Sequence, residues 1–134
     1  TDSTCDLSKE EIQKLQLHVV PLTIQIDGET YVDGVDIEPK SFLEKMANAK
    51  QLPKSSQPAP GKFKELYDEL GKNGDQIISI HMTGGMSGTV ESARQAAQMT
   101  GLWLWHAQSP CGDVHLPTVD YPCSCAPFAV GTPR

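Results

Sequence analysis

Gln76-Ile77-Ile78-Ser79-Ile80-His81-Met82 continues into Thr83-Gly84-Gly85-Met86-Ser87-Gly88-Thr89. A short β-branched run thus passes through two glycines into an Ala-rich segment, Ser87 to Met99, where Val90, Ala93 and Ala97 fall on one helical face. The first amides of such a helix lack intrahelical partners. The helix dipole adds roughly half a positive charge at the same end. Gly84, Gly85 and Gly88 allow close approach to the backbone, and Ser87 and Thr89 add hydroxyls. A carboxylate or phosphate suits such a place. Ser87 reads equally as the helix N-cap, a role compatible with holding a ligand.

Outward from this stretch the order is helix, β-hairpin, helix, helix, strand, helix. Ser8 as N-cap with Glu11 three residues later forms a capping box, with Leu7 and Ile12 placed as a staple, so a helix begins at Lys9. His18 to Ile26 alternates, with Val20, Leu22, Ile24 and Ile26 on one face and Thr23 and Gln25 on the other. Pro21 has no N–H for a ladder, which predicts an edge strand, and Asp27-Gly28 predicts a type I′ turn into a partner around Thr30 to Val32. Glu38-Pro39 opens a helix ending near Ala49, with Phe42, Leu43 and Met46 as its expected buried side. Pro60 opens another, whose Phe63, Leu66, Tyr67 and Leu70 share one face before Gly71. Helices alternating with apolar strands predict a layered α/β/α domain with a largely parallel sheet plus a β-hairpin. Ligands of such sheets sit beyond the strands' carboxyl ends. Ser55-Ser56-Gln57-Pro58, expected as a polar loop leading to the Pro60 helix, is a second group of hydroxyls; by itself it reads as an ordinary linker.

With 134 residues the expectation is one domain. A net charge of −6 without a Lys/Arg cluster argues against a nucleic-acid partner. No run of 18 apolar residues spans a bilayer and no signal segment opens the sequence, so the expected location is cytoplasmic. Cys5, Cys111, Cys123 and Cys125 are expected as free thiols. The composition changes near Gly101: residues 101–134 carry only Asp113, Asp120 and Arg134 as charges and hold five of the ten prolines, which predicts little regular structure there. Cys111, Cys123, Cys125, His106 and His115 lack paired zinc-ligand spacing, so neither metal nor cofactor is expected. His18 and His81 read as structural histidines on strands. The enzymatic alternative is a serine hydrolase or esterase with Ser87 as nucleophile at a strand-to-helix turn. Its final Gly is missing, and a downstream triad would have to draw on His106 or His115.

The ordered motifs Thr1-Asp2-Ser3-Thr4-Cys5-Asp6-Leu7, Val20-Pro21-Leu22, Tyr31-Val32-Asp33-Gly34, Ser55-Ser56-Gln57-Pro58 and Met86-Ser87-Gly88-Thr89 with Ser92-Ala93 resemble those of the DegV family. The resemblance implies a bacterial fatty-acid-binding protein that presents the acid's carboxylate to a separate fatty acid kinase catalytic subunit, for phospholipid synthesis from exogenous fatty acids. It implies that Ser55 and Ser87 hold the carboxylate of a long-chain fatty acid, with Ser56, Gln57, Thr83, Gly88 and Thr89 in support. Ser55 stands where the family usually has Thr, Thr83-Gly84 where a Ser-Ser pair is common, and Val90 where Tyr is frequent. The implied organisation is the family's first α/β domain over residues 1–100, without its opening strand. Residues 101–134 follow as an irregular Pro/Cys-rich tail outside the resemblance.

Overall fold

A computed structural model describes residues 1–101 together with the backbone of Leu104–Ser109 and Phe128–Val130. Two compact units result, Asp2–Pro58 and Ala59–Arg134, Thr1 belonging with the second. The division falls inside the stretch expected as one domain.

In the first unit, Asp2 starts a 3-10 turn over Ser3–Cys5, its carboxylate accepting from the Thr4 N–H at 3.0 Å. Helix α1, Lys9–Lys14, begins with the predicted capping box: the Ser8 hydroxyl accepts from the Glu11 N–H, and the Glu11 carboxylate accepts from the Ser8 N–H at 2.9 Å. The expected strand His18 to Ile26 is reduced to β1, Thr23–Ile26, and leaves His18 in an exposed loop. It turns at Asp27 and Gly28, φ +47° and +90°, into β2, Glu29–Val32, with Ile26 opposite Glu29. Both turn residues are left-handed, as a type I′ turn requires. Helix α2, Pro39–Asn48, follows, and then β3, Lys54–Ser56, antiparallel to β1.

The strand order is β2-β1-β3, so β1 is central and the edge predicted from Pro21 is corrected. Pro21 precedes the ladder, between an isolated Asp2–Val20 bridge and Thr23, where its missing N–H removes no strand bond. Its neighbour Leu22 donates its own N–H to the Ser3 hydroxyl at 3.1 Å. Val20, Leu22, Ile26 and Ile37 are buried. The expected buried side of α2 is corrected as well: Leu43 and Met46 are exposed and Phe42 is half-buried.

The second unit begins with α3, Pro60–Leu70, which runs past Gly71 into a 3-10 turn, Gly71–Asn73; the left-handed stop comes at Gly74, φ +82°. Strand β4, Ile77–Met82, buries Ile77, Ser79 and His81 on one face and exposes Ile78 and Ile80 on the other. Helix α4, Thr89–Thr100, buries Val90, Ala93 and Ala97 as predicted, and Thr89, Ser92 and Ala96 in addition. This run of small side chains lets α4 lie close against α3, which contributes Phe63 and Tyr67. Gly101, φ +64°, caps α4 in the left-handed conformation.

The chain then forms β5, Leu104–Ser109, parallel to β4 from Ile77–Leu104 to Met82–Ser109, and β6, Phe128–Val130, antiparallel to β5. These strands stand where little regular structure was expected. The prolines that set that expectation flank them: β5 ends just before Pro110 and β6 starts just after Pro127. A composition averaged over 101–134 hides the proline-free stretches in which these two strands form. The β4-α4-β5 connection bears out the parallel pairing, and the whole is an α/β fold. The cysteines and His115 of this region lie outside the described residues.

Candidate functional site

The strand-to-helix turn is closed on one carbonyl. The Thr83 oxygen accepts from the N–H groups of Met86 at 3.0 Å and Ser87 at 3.1 Å, and the Thr83 hydroxyl accepts from the Gly85 N–H at 3.4 Å. Amides expected to face an anion are therefore partly spent on the turn. Among the described residues, the N–H groups of Gly88, Val90 and Glu91 meet no acceptor, so the donors at the start of α4 narrow to these three.

Gly88, with φ −74°, is the N-cap residue, and Ser87 lies one residue further out than predicted. Ser87 still acts on the helix: its Oγ accepts from the Thr89 N–H at 3.2 Å and lies 2.9 Å from the Thr89 Oγ1. Ser87 and Gly88 are half-buried, Thr89 is buried, and Gly84 and Gly85 are exposed. Thr89, expected to offer its hydroxyl outward, points it at Ser87 instead. Among the described residues Ser87 is engaged by Thr89 and by no base, which the hydrolase alternative would require; His115 and the side chain of His106 lie outside the described residues.

The second hydroxyl group belongs to the unit Asp2–Pro58. Ser55 and Ser56 were expected in a loop; they form the β3 edge strand, Ser55 opposite Ile24 and Ser56 opposite Thr23. Directly paired residues share a sheet face, so Ser55 lies on the face of Ile24, and Tyr31 opposite Ile24 in β2 shares it. Both serines are exposed, and neither hydroxyl has a partner among the described residues. Gln57 follows the strand and is exposed.

Beneath the strand-to-helix turn lies a polar chain that was not singled out. The Tyr67 hydroxyl is 2.7 Å from Ser79 Oγ, which is 2.7 Å from His81 Nε2, and all three residues are buried. The Phe63 ring meets the His81 ring edge-on, with centroids 5.1 Å apart. Burial pushes the Tyr67 hydroxyl up to about 12, opposed by its bond to Ser79. The sequence signal was available, since Ser79 and His81 alternate with Ile78 and Ile80. His81 fits the structural role expected of it. Thr1, with its hydroxyl donating to the Ile80 carbonyl at 2.8 Å, sits at the same strand.

Among the described residues no group of three or more His, Cys, Asp or Glu could hold a metal, and no helix is long and apolar enough to cross a membrane.

A parallel β-α-β unit with hydroxyls and open amides at its strand-to-helix turn places the chain among α/β domains. The chain belongs to the DegV family: the family model described as "Uncharacterised protein, DegV family" matches residues 1–118. The match runs beyond residue 100, where the resemblance was expected to end. A DegV domain-containing protein of Staphylococcus aureus (strain N315) is 50% identical over 99 residues, 74% of this chain and 35% of the relative. The crystal structure of DegV, a fatty acid binding protein from Bacillus subtilis, matches with a TM-score of 0.67 and 42% identity, covering 73% of this chain and 35% of that one. The Streptococcus pneumoniae fatty acid kinase (Fak) B3 protein loaded with linoleic acid matches with a TM-score of 0.59 and 29% identity, covering 74% of this chain and 34% of that one. The chain thus spans about a third of the length of the relatives it matches.

Proposed function

We propose that this chain binds a long-chain fatty acid by its carboxylate and presents that group to a separate fatty acid kinase catalytic subunit, in the cytoplasm, as a step toward phospholipid synthesis from exogenous fatty acids. Ser55 and Ser87 hold the carboxylate; Ser56, Gln57, Thr83, Gly88 and Thr89 support them. The observation that carries the reading is the half-buried Ser87 hydroxyl beside the open N–H groups of Gly88, Val90 and Glu91 at a helix start, where an anion is favoured. The fatty-acid-binding relative from Bacillus subtilis and the Fak B3 protein of Streptococcus pneumoniae support a fatty acid as the anion.

In this reading the chain catalyses nothing alone. Its hydroxyls fix the carboxylate so that one oxygen can attack the γ-phosphorus of ATP held by the partner, forming the acyl phosphate as the bond from that phosphorus to the bridging oxygen breaks and ADP leaves, and orientation is the contribution. Each methylene of the acyl chain taken from water adds about 0.8 kcal/mol, so affinity comes mostly from the tail and selectivity from the head.

The test is equilibrium binding of palmitate to the purified protein, with Ser55→Ala and Ser87→Ala alongside. Loss of one hydrogen bond to a charged group is worth about 1.5–3 kcal/mol, so each variant is expected to bind roughly ten- to a hundredfold more weakly. Unchanged affinity in both variants overturns the assignment of the head group. Acyl phosphate formation on adding a bacterial fatty acid kinase catalytic subunit and ATP checks the presentation step, and its absence with binding intact removes that step alone.

A further inference from the structure

Thr89 is 1% exposed, and among the described residues its hydroxyl meets a single polar atom, Ser87 Oγ at 2.9 Å. The distance alone allows either hydroxyl to donate; burial decides between them. Were Ser87 the donor, the Thr89 hydrogen would be buried without an acceptor, at a cost of about 1–3 kcal/mol. Ser87 is half-buried, so its hydrogen reaches water or a ligand when Thr89 donates. The Thr89 hydroxyl is therefore the donor. The Thr89 N–H donates to the same Ser87 oxygen at 3.2 Å. A hydroxyl oxygen has two lone pairs and one hydrogen. Thr89 fills both lone pairs, which leaves Ser87 with one outward O–H and no capacity to accept.

The geometry points to Thr89 as a positioning residue that makes Ser87 a one-way donor, so that the head-group site selects an ionised carboxylate over uncharged head groups that must donate a hydrogen bond. This rests on the fatty-acid reading of the site. Donation into Ser87 Oγ also polarises its O–H, strengthening the bond that it gives. Thr89 itself touches no ligand: it acts through Ser87, from inside the first turn of α4.

The experiment is calorimetric titration of the purified protein with palmitate and, separately, with hexadecanol, for Ser87→Ala, Thr89→Val, Thr89→Ser and the Ser87→Ala/Thr89→Val double variant, each checked by thermal melting. Valine keeps the shape of threonine and frees one lone pair of Ser87. Thr89→Val is expected to lower palmitate affinity several- to tenfold, a change of up to about 1.4 kcal/mol, while hexadecanol affinity holds or rises. The double variant is expected to bind no more weakly than Ser87→Ala, and Thr89→Ser to restore wild-type selectivity. Should valine unfold the protein, Thr89→Ser and Thr89→Ala carry the same comparison. Thr89→Val binding palmitate like the wild type while Ser87→Ala is weakened overturns the inference and leaves the fatty-acid reading standing. Additive losses in the double variant also overturn it, since Thr89 would then act apart from Ser87. Ser87→Ala binding like the wild type is a different failure: it removes Ser87 from the site, and the inference with it.

Discussion

Replacing Ser79 by Ala breaks the buried polar chain at its middle. Ser79 Oγ lies 2.7 Å from both the Tyr67 hydroxyl and His81 Nε2, so one truncation takes a hydrogen bond from each of two buried polar groups. Each buried group that loses its bond to Ser79 costs about 1–3 kcal/mol, and alanine leaves little added volume for a rescuing water. The expected loss is about 3 kcal/mol. For a chain of this size, that lowers the melting temperature by on the order of 10 °C. Tyr67→Phe removes only the terminal hydroxyl and leaves Ser79 bonded to His81, so its expected loss is about 1 kcal/mol. With Tyr67→Phe already present, Ser79→Ala takes a hydrogen bond from His81 alone and is expected to cost less than it does in the wild type. Urea denaturation of the four proteins gives the coupling directly. A Ser79→Ala protein within about 0.5 kcal/mol of wild type, or strictly additive losses, would refute a single connected chain.

Three further outcomes follow from packing, backbone and charge. Ala93, fully buried on α4, has no room for growth, so Ala93→Leu is expected to cost about 1–3 kcal/mol by overpacking, read by urea denaturation, whereas exposed Gln95→Leu stays within about 0.5 kcal/mol. Gly28 has φ +90° with nothing near its missing Cβ, so Gly28→Ala is expected to lose about 1 kcal/mol through backbone strain alone, and Gly28→Asn less, in the same assay. The Glu11 carboxyl lies below its ordinary value of 4.5 because the Ser8 N–H and hydroxyl bond it. A depressed carboxyl stabilises the folded state above its unfolded value, and that contribution fades as pH falls from 4.5 through the lower folded value. The protection of α1 amides, taken relative to their intrinsic exchange rates at each pH, is therefore expected to fall below about pH 4.5 in the wild type and to lose this pH dependence in Glu11→Gln.

Local chemistry made much of the fold readable. The Ser8–Glu11 capping box, the Asp27-Gly28 turn and the prolines opening α2 and α3 each act within four residues, and each stands where the sequence placed it. Pairings between distant segments were not readable. Lys54-Ser55-Ser56 has no apolar alternation, so nothing local marks it as the strand that converts β1 from an edge into a centre. Pro21 misled for the same reason: its missing N–H matters only inside a ladder, and where the ladder starts is set by the partners. At the candidate site, the hydroxyls of Ser87 and Thr89 were visible, but their burial was not. Burial is what separates an outward donor from the residue that aims it. The Leu43 and Met46 stripe of α2 shows the converse, a periodicity that the described residues leave uncovered.

The β3 edge strand has a consequence for how this chain tolerates change. Its partnership with β1 is made by backbone groups, which every residue except proline supplies alike, and the side chains of Ser55 and Ser56 are exposed and bear none of the packing. Architecture and the recognition proposed for these serines are thus carried by different atoms of the same residues. A serine can become a threonine there, or an asparagine, and change the groups that the strand presents while the sheet keeps its register.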